Sequence, residues 1–279
     1  MAARPGVKGP WRPVGRHDAA GEGRAMSGDP GDFTGRSVAI TGGTKGIGRA
    51  IAEAFLAAGA EVTVCGRTAP PAPPRAGGRT AHTVRADVRD PAAAREFVES
   101  AAHRTGRLDV LVNNAGGSPD ADAATVSPRF VEKVVALNLL APFYASQAAH
   151  RHMRGQDGGG CILNIGSVSA HHPQPGTAAY SAAKAGLLML TRALALEWGP
   201  AVRVNHLSAG PVTTPGAERG TPGAGIVPLG RLALPTDLAD ACLFLAGPAA
   251  GYINGADLAV HGGGEPPARY LAARPGPTA

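Results

Sequence analysis

Aromatic residues are scarce in this chain of 279 residues: six Phe, four Tyr and two Trp make up 4% of it. The apolar 44% is therefore mostly aliphatic, a composition suited to parallel strands covered by helices on both faces. Cysteine is scarce as well. Cys65, Cys161 and Cys242 show no metal-type spacing, so reduced, buried thiols in a cytosolic protein are the simplest reading. No metal site is expected. No apolar run reaches the roughly 20 residues that cross a bilayer, and the N-terminus lacks the apolar stretch of a secretion signal, so no membrane association is expected. The formal net charge is +6, but the basic residues are scattered and no aromatic-plus-basic cluster accompanies them. Nucleic-acid binding is not expected.

Glycine and proline are plentiful but concentrate in the termini and turns. Residues 1–34 have no helical or alternating apolar period and read as a disordered extension. A transit peptide is the competing reading, against which Asp18, Glu22, Asp29 and the scarcity of serine count. Met26 is a candidate start. Residues 35–264 show no composition break and read as one domain, and 265–279 as a loose tail.

Inside that domain strands alternate with helices. SVAIT (37–41) is a short buried strand, TGGTKGIG a glycine-rich turn and RAIAEAFLAAGA a helix ending at Gly59; EVTVC (61–65) is a second strand. Further strands are expected over 81–88, 108–112, 161–165, 202–207 and 256–260. Helices are expected over 91–105, 128–153, 180–198 and 235–246, the last opening with Thr236 and Asp237 as caps. Residues 208–225 are full of breakers and read as loop. The pattern is that of an α/β fold: a doubly wound parallel sheet of about seven strands with helices on both faces.

Chemistry concentrates in two places. The turn at 41–48 precedes a helix whose free N–H groups and positive dipole end attract phosphates. Gly42, Gly46 and Gly48 permit a tight turn and a close backbone approach; an isolated match would mean no more than a closed turn. The second place is GSVSAHHPQPGTAAYSAAK (166–184). Tyr180 and Lys184, four apart at the start of a helix, share one face. An unperturbed tyrosine has a pKa of about 10, so lowering it by roughly three units takes about 4 kcal/mol, which a close lysine and a cationic cofactor ring can supply together. Taken alone, Tyr and Lys at this spacing are also what an ordinary exposed helix face carries.

TGGTKGIG, the NNAG run at 113–116, Asn138, Ser167 and YSAAK at 180–184 follow one another in an order that resembles the short-chain dehydrogenase/reductase family, in its short single-domain (Rossmann) branch similar to 3-oxoacyl-carrier-protein reductases. The resemblance covers about 35–264. It implies that Tyr180 is the general acid in carbonyl reduction, or the base in alcohol oxidation. It implies that Lys184 holds the nicotinamide ribose and lowers the tyrosine pKa, and that Ser167 binds the substrate oxygen. Asn138 then anchors a water beside Lys184, with a packing or helix-bending role as the alternative. Cofactor contacts are implied for Gly42, Thr44, Lys45, Gly46, Ile47 and Gly48, for Asp87 and Val88 at the adenine, for Asn114, Ala115 and Gly116 beneath the ribose and nicotinamide, and for Pro211, Val212 and Thr213 at the carboxamide. Ala209-Gly210 departs from the family's usual Pro-Gly, which implies a less rigid loop.

An acidic residue at the end of the second strand binds the adenosine ribose and repels a 2'-phosphate. Here Cys65-Gly66-Arg67 carries none, and Lys45 and Arg67 are placed to pair with a phosphate unless they are merely solvated. NADPH is the expected cofactor, with NAD as the alternative. The expected activity is NADPH-dependent reduction of a ketone or 3-oxoacyl group, small or carrier-bound. Alternatives are an NAD-dependent dehydrogenase of a secondary alcohol, diol or sterol, and a silent nucleotide-sensing or scaffold protein. Residues 214–226 imply a small lid. His171, His172 and Gln174 either line the pocket or are idle loop residues. Apolar surface on the 180–198 helix beyond what one sheet face buries points to a homodimer or homotetramer.

Overall fold

The computed structural model describes residues 31–214 and 227–264. The expectations for 1–30, for 215–226 of the lid and for the tail at 265–279 lie outside the described residues. In chain order the strands are β1 (Ser37–Thr41), β2 (Glu61–Gly66), β3 (Arg75–Ala76), β4 (Arg79–Thr80), β5 (His82–Arg85), β6 (Val110–Asn113), β7 (Gly160–Ile165), β8 (Val202–Ala209) and β9 (Asp257–Val260). The helices are α1 (Gly46–Ala57), α2 (Pro91–Thr105), α3 (Pro128–Val135), α4 (Ala141–Met153), α5 (Ala178–Trp198) and α6 (Pro235–Ala246).

Seven strands form one parallel sheet in the order β5-β2-β1-β6-β7-β8-β9. Their apolar content is continuous because both faces are covered, and the two-residue period sorts the side chains between two cores. On one face Val38 and Ile40 of β1 meet Ile51 and Phe55 of α1 and Cys242 and Leu245 of α6. On the other Ala39 of β1 meets Phe97 of α2, Ala145 and Met153 of α4 and Leu194 of α5. Phe55 and Phe97 are fully buried; truncating either to Ala is expected to cost about 3–5 kcal/mol.

The chain runs outward from β1 in both directions, to β2 on one side and β6 on the other. In such a sheet a crevice opens at the carboxyl ends of the two diverging halves. That crevice positions the site.

Several elements differ from their sequence-based bounds. The strand expected over 81–88 ends at Arg85, the register partner of Gly66, which is the last residue of β2. The proline- and glycine-rich loop before it holds the small hairpin β3-β4, turned by Gly77 and Gly78 at φ of 56° and 73°, the positive values that a two-residue hairpin turn requires. The helix expected over 128–153 is interrupted at Ala136–Leu140 by a single π-helical turn. At α6 it is Asp237 that closes the first turn, accepting a hydrogen bond from the Leu234 N–H at 2.7 Å while pairing with Arg231.

Candidate active site

The turn after β1 is stitched to the turn after β6. Thr41 Oγ1 accepts from the N–H groups of Asn114 and Ala115, both at 3.0 Å, and Asn114 Nδ2 donates to the carbonyls of Thr41 and Gly42 at 3.1 Å. Gly48 packs so closely that an added Cβ would lie 2.4 Å from the Gly42 carbonyl oxygen. Lys45 precedes α1 in extended conformation with no side-chain cap. The first-turn amides of Gly46, Ile47 and Gly48 are thus not consumed by a cap, and such amides form an anion cradle. The cradle fits the diphosphate of a dinucleotide.

A cleft of about 260 Å³ opens beside it, lined by Ile47, Asn114, Gly116, Ser167, Tyr180 and Lys184 among others. The far wall is Ala209, Gly210, Val212 and Thr214. Elements distant in sequence therefore converge here. Ser167 follows β7, Tyr180 and Lys184 lie one turn apart in α5, and Asn138 sits in the π-helical turn, which widens the helix locally.

The polar groups are fixed by specific partners. Lys184 is buried, and its Nζ donates to the Ile165 carbonyl at 2.8 Å. Burial pushes its pKa down to about 8. Asn138 is fully buried; its Oδ1 accepts from the Gly117 N–H at 2.9 Å, and its Nδ2 donates to the carbonyls of Gly117 at 3.1 Å and Val134 at 2.9 Å. A Cβ on Gly116 would meet Asn138 Oδ1 at 2.9 Å and Lys184 Nζ at 3.2 Å. Only glycine leaves that corner open.

Burial raises the Tyr180 pKa, and a hydrogen bond with Ser167 opposes the rise. The lowering expected from Lys184 is not present in the protein alone. Lys184 Nζ is 5.8 Å from the ring centroid, and burial dominates.

The remaining candidates lie along the crevice. Thr44 approaches the end of β2, since a Cβ on Gly66 would meet its Oγ1 at 2.8 Å. Lys45 and Arg67 are exposed. Asp87 pairs with Arg89, Nη2 to Oδ2 at 2.5 Å and Nε to Oδ1 at 2.9 Å, and this hydrogen bonding, aided by the charge of Arg67, lowers its pKa. Val88 is buried. Pro211 and Thr213 are bonded to Ala233: the Ala233 N–H donates to the Pro211 carbonyl, and the Thr213 N–H donates to the Ala233 carbonyl. Among the described residues no group of His, Cys, Asp and Glu side chains is arranged to hold a metal ion, and no helix is long and apolar enough to cross a membrane.

Residues 42–265 match the sequence model of a family described as Enoyl-(Acyl carrier protein) reductase. The D-threitol dehydrogenase of Mycolicibacterium smegmatis is 37% identical over 241 residues, covering 82% of this chain and 92% of the relative. The galactitol 2-dehydrogenase (L-tagatose-forming) of Cereibacter sphaeroides is 38% identical over 243 residues, covering 82% and 94%. A short-chain dehydrogenase from Burkholderia cenocepacia, solved in complex with NADP, superposes with a TM-score of 0.75 at 32% identity, covering 82% of this chain and 98% of that one. The chain belongs to the short-chain dehydrogenase/reductase family.

As a short-chain dehydrogenase/reductase it is an oxidoreductase acting on CH–OH or C=O groups. Parts of its site were not foreseeable from motifs. Arg89, which occupies Asp87, is one; the carbonyl of Ile165, which seats Lys184, is another. The largest omission is Asp257 at the start of β9, whose carboxylate lies 2.7 Å from His206 Nδ1 and 2.6 Å from His171 Nε2 and accepts from Ser208 Oγ at 2.9 Å. An aspartate inside an otherwise apolar strand was the available signal. His171 thus leans on the last strand, and neither it nor His172 is among the residues lining the cleft.

Proposed function

We propose that this short-chain dehydrogenase/reductase reduces a ketone or 3-oxoacyl group to a secondary alcohol with NADPH. The observation that carries the reading is the convergence of Ser167, Tyr180 and Lys184 on one cleft beside an uncapped helix N-terminus. When bound, the nicotinamide supplies the hydride. Ser167 holds the substrate oxygen and favours the charge that grows on it. Tyr180 gives its phenolic proton to that oxygen, and its raised pKa keeps the phenol protonated near neutrality, the form a proton donor needs. Lys184, held on the Ile165 carbonyl at 2.8 Å, would hold the ribose hydroxyls of a bound cofactor and would help return a proton to the phenol. Asn138 keeps the Gly116-Gly117 corner open for the cofactor.

Preference for the 2'-phosphate rests on Lys45 and Arg67, both exposed, on the lack of an acid after β2, and on the pairing of Asp87 with Arg89, which offsets that carboxylate. The test is nicotinamide absorbance with NADPH or NADH against acyl, cyclic and aromatic ketones; turnover with NADPH supports the reading, and its absence across the panel counts against it. NAD-linked oxidation of polyols is the second reading, favoured by the D-threitol and galactitol dehydrogenase relatives. In our reading the three free, buried thiols fit a reducing cytosol. Met189 and Leu196, 60% and 86% exposed on α5, fit a helix face covered by a second copy in a dimer or tetramer.

A further inference from the structure

Ser167 stands at the head of a short turn. Its backbone is extended, its Oγ accepts from the Ser169 N–H at 3.2 Å, and the N–H groups of His171 and His172 both donate to the Val168 carbonyl at 2.9 Å. A shift of His171 is therefore passed to Ser167 through one closed turn.

Asp257 grips this turn from two sides. One oxygen is 2.6 Å from His171 Nε2 and the other 2.7 Å from His206 Nδ1, and Ser208 donates to both, at 2.9 and 3.0 Å. His206 is fully buried and its ring lies against Gly166, where a Cβ would be 2.0 Å from Cε1 and 2.1 Å from Nε2. Among the described residues His206 Nε2 has no hydrogen-bond partner, so Asp257 is the polar group that orients the ring. The residue before Ser167 thus rests on His206, and the turn after it is tied by His171. Burial pushes the Asp257 carboxyl up, but the bonds and charge of His206, then His171 and Ser208, outweigh it and hold it at about 2. The carboxylate is ionised throughout the working range.

We propose that Asp257 is a positioning residue for Ser167, holding Gly166 through His206 and the following turn through His171 so that the serine keeps its place beside Tyr180 in the cleft. The inference rests on the reading of Ser167 as the group that binds the substrate oxygen. Neither Asp257 nor His171 touches the reacting atoms.

Ser167 opposes the burial-driven rise of the Tyr180 pKa, so the placement of the serine is measurable without substrate. In the purified full chain, Tyr180 is titrated by ultraviolet difference absorbance against Tyr180→Phe. Ser167→Ala sets the end point, an upward shift. His171→Ala, at a half-exposed position, is expected to shift Tyr180 upward towards that end point, and His171→Gln, whose amide also donates to Asp257, to return it to the wild-type value. Asp257→Asn, which keeps shape and removes an acceptor, is expected to act as His171→Ala does. In turnover, His171→Ala is expected to lower kcat about tenfold with cofactor KM unchanged, within the range that sub-ångström misplacement costs. A wild-type Tyr180 titration in both His171→Ala and Asp257→Asn overturns the proposal, as does equal loss in His171→Ala and His171→Gln. If the wild-type enzyme turns over no carbonyl or alcohol, the reading of its function fails, while the titration still decides the positioning role.

Discussion

The side-chain amide of Asn138 pairs with the backbone of Gly117 in both directions, accepting at 2.9 Å and donating at 3.1 Å, as one strand residue pairs with another. The pairing ties the turn after β6 to the π-helical turn that carries Asn138. Gly116, just before it, has no room for a side chain between Asn138 and Lys184. Gly116→Ala is expected to lower kcat/KM about 100-fold, the scale of an ångström's misplacement in a site, while circular dichroism stays that of the wild type. Steady-state kinetics checks it, and near-normal kcat/KM counts against a tight corner.

The cationic end of β2 predicts cofactor choice. Arg67 is exposed and its charge is felt at Asp87. Arg67→Asp is expected to reverse the preference between NADPH and NADH, since it removes a phosphate partner and adds a repelling carboxylate. Fluorescence titration with each cofactor measures this; an unchanged ratio of affinities excludes Arg67 as the discriminator.

Lys184 ties stability to alkaline pH. Its folded pKa of about 8 lies below the ordinary lysine value of 10.5, so between those values the unfolded chain binds more protons than the folded one. Stability then rises with pH across that window, and below pH 8 the full cost of burying the ammonium applies. Lys184→Met lacks this slope. The wild type is expected to gain on the variant by about 3 kcal/mol from pH 8 to 10.5. Denaturant unfolding of both proteins across the window checks it, with parallel pH curves as the contrary result.

The apolar face of α5 predicts assembly. Leu196 is 86% exposed and Met189 60%. Leu196→Lys is expected to reduce the mass measured by light scattering at micromolar concentration relative to the wild type. A monomeric wild type removes the idea.

The fold was legible where patterns are local. The apolar runs of β1, β2, β6, β7 and β8 stand out because both sheet faces are covered, and α2 runs over 91–105 as its Asp90 cap, Pro91 and closing Gly106 dictate. The glycine turn and Ser167 stood out because each follows a strand, and Tyr180 and Lys184 because they lie one turn apart at the start of α5. The hairpin β3-β4 hid in a stretch that propensity marks as loop, and the π-helical turn at Ala136–Leu140 contains no glycine or proline to mark it. The link from His171 to Asp257 spans 86 residues. Only the register of β8 and β9, which sets His206 beside Asp257, brings the two histidines onto one carboxylate.

The central claim is that Tyr180 is the proton donor, and Tyr180→Phe with bound cofactor tests it most directly. The substitution removes one oxygen from a half-buried ring and leaves the turn at 41–48 untouched. Turnover of a ketone that the wild-type enzyme reduces is predicted to fall at least about 100-fold, in line with the loss of a general acid, while NADPH affinity by fluorescence titration stays within about threefold, less than 1 kcal/mol. Near-normal turnover with intact NADPH binding would contradict the account.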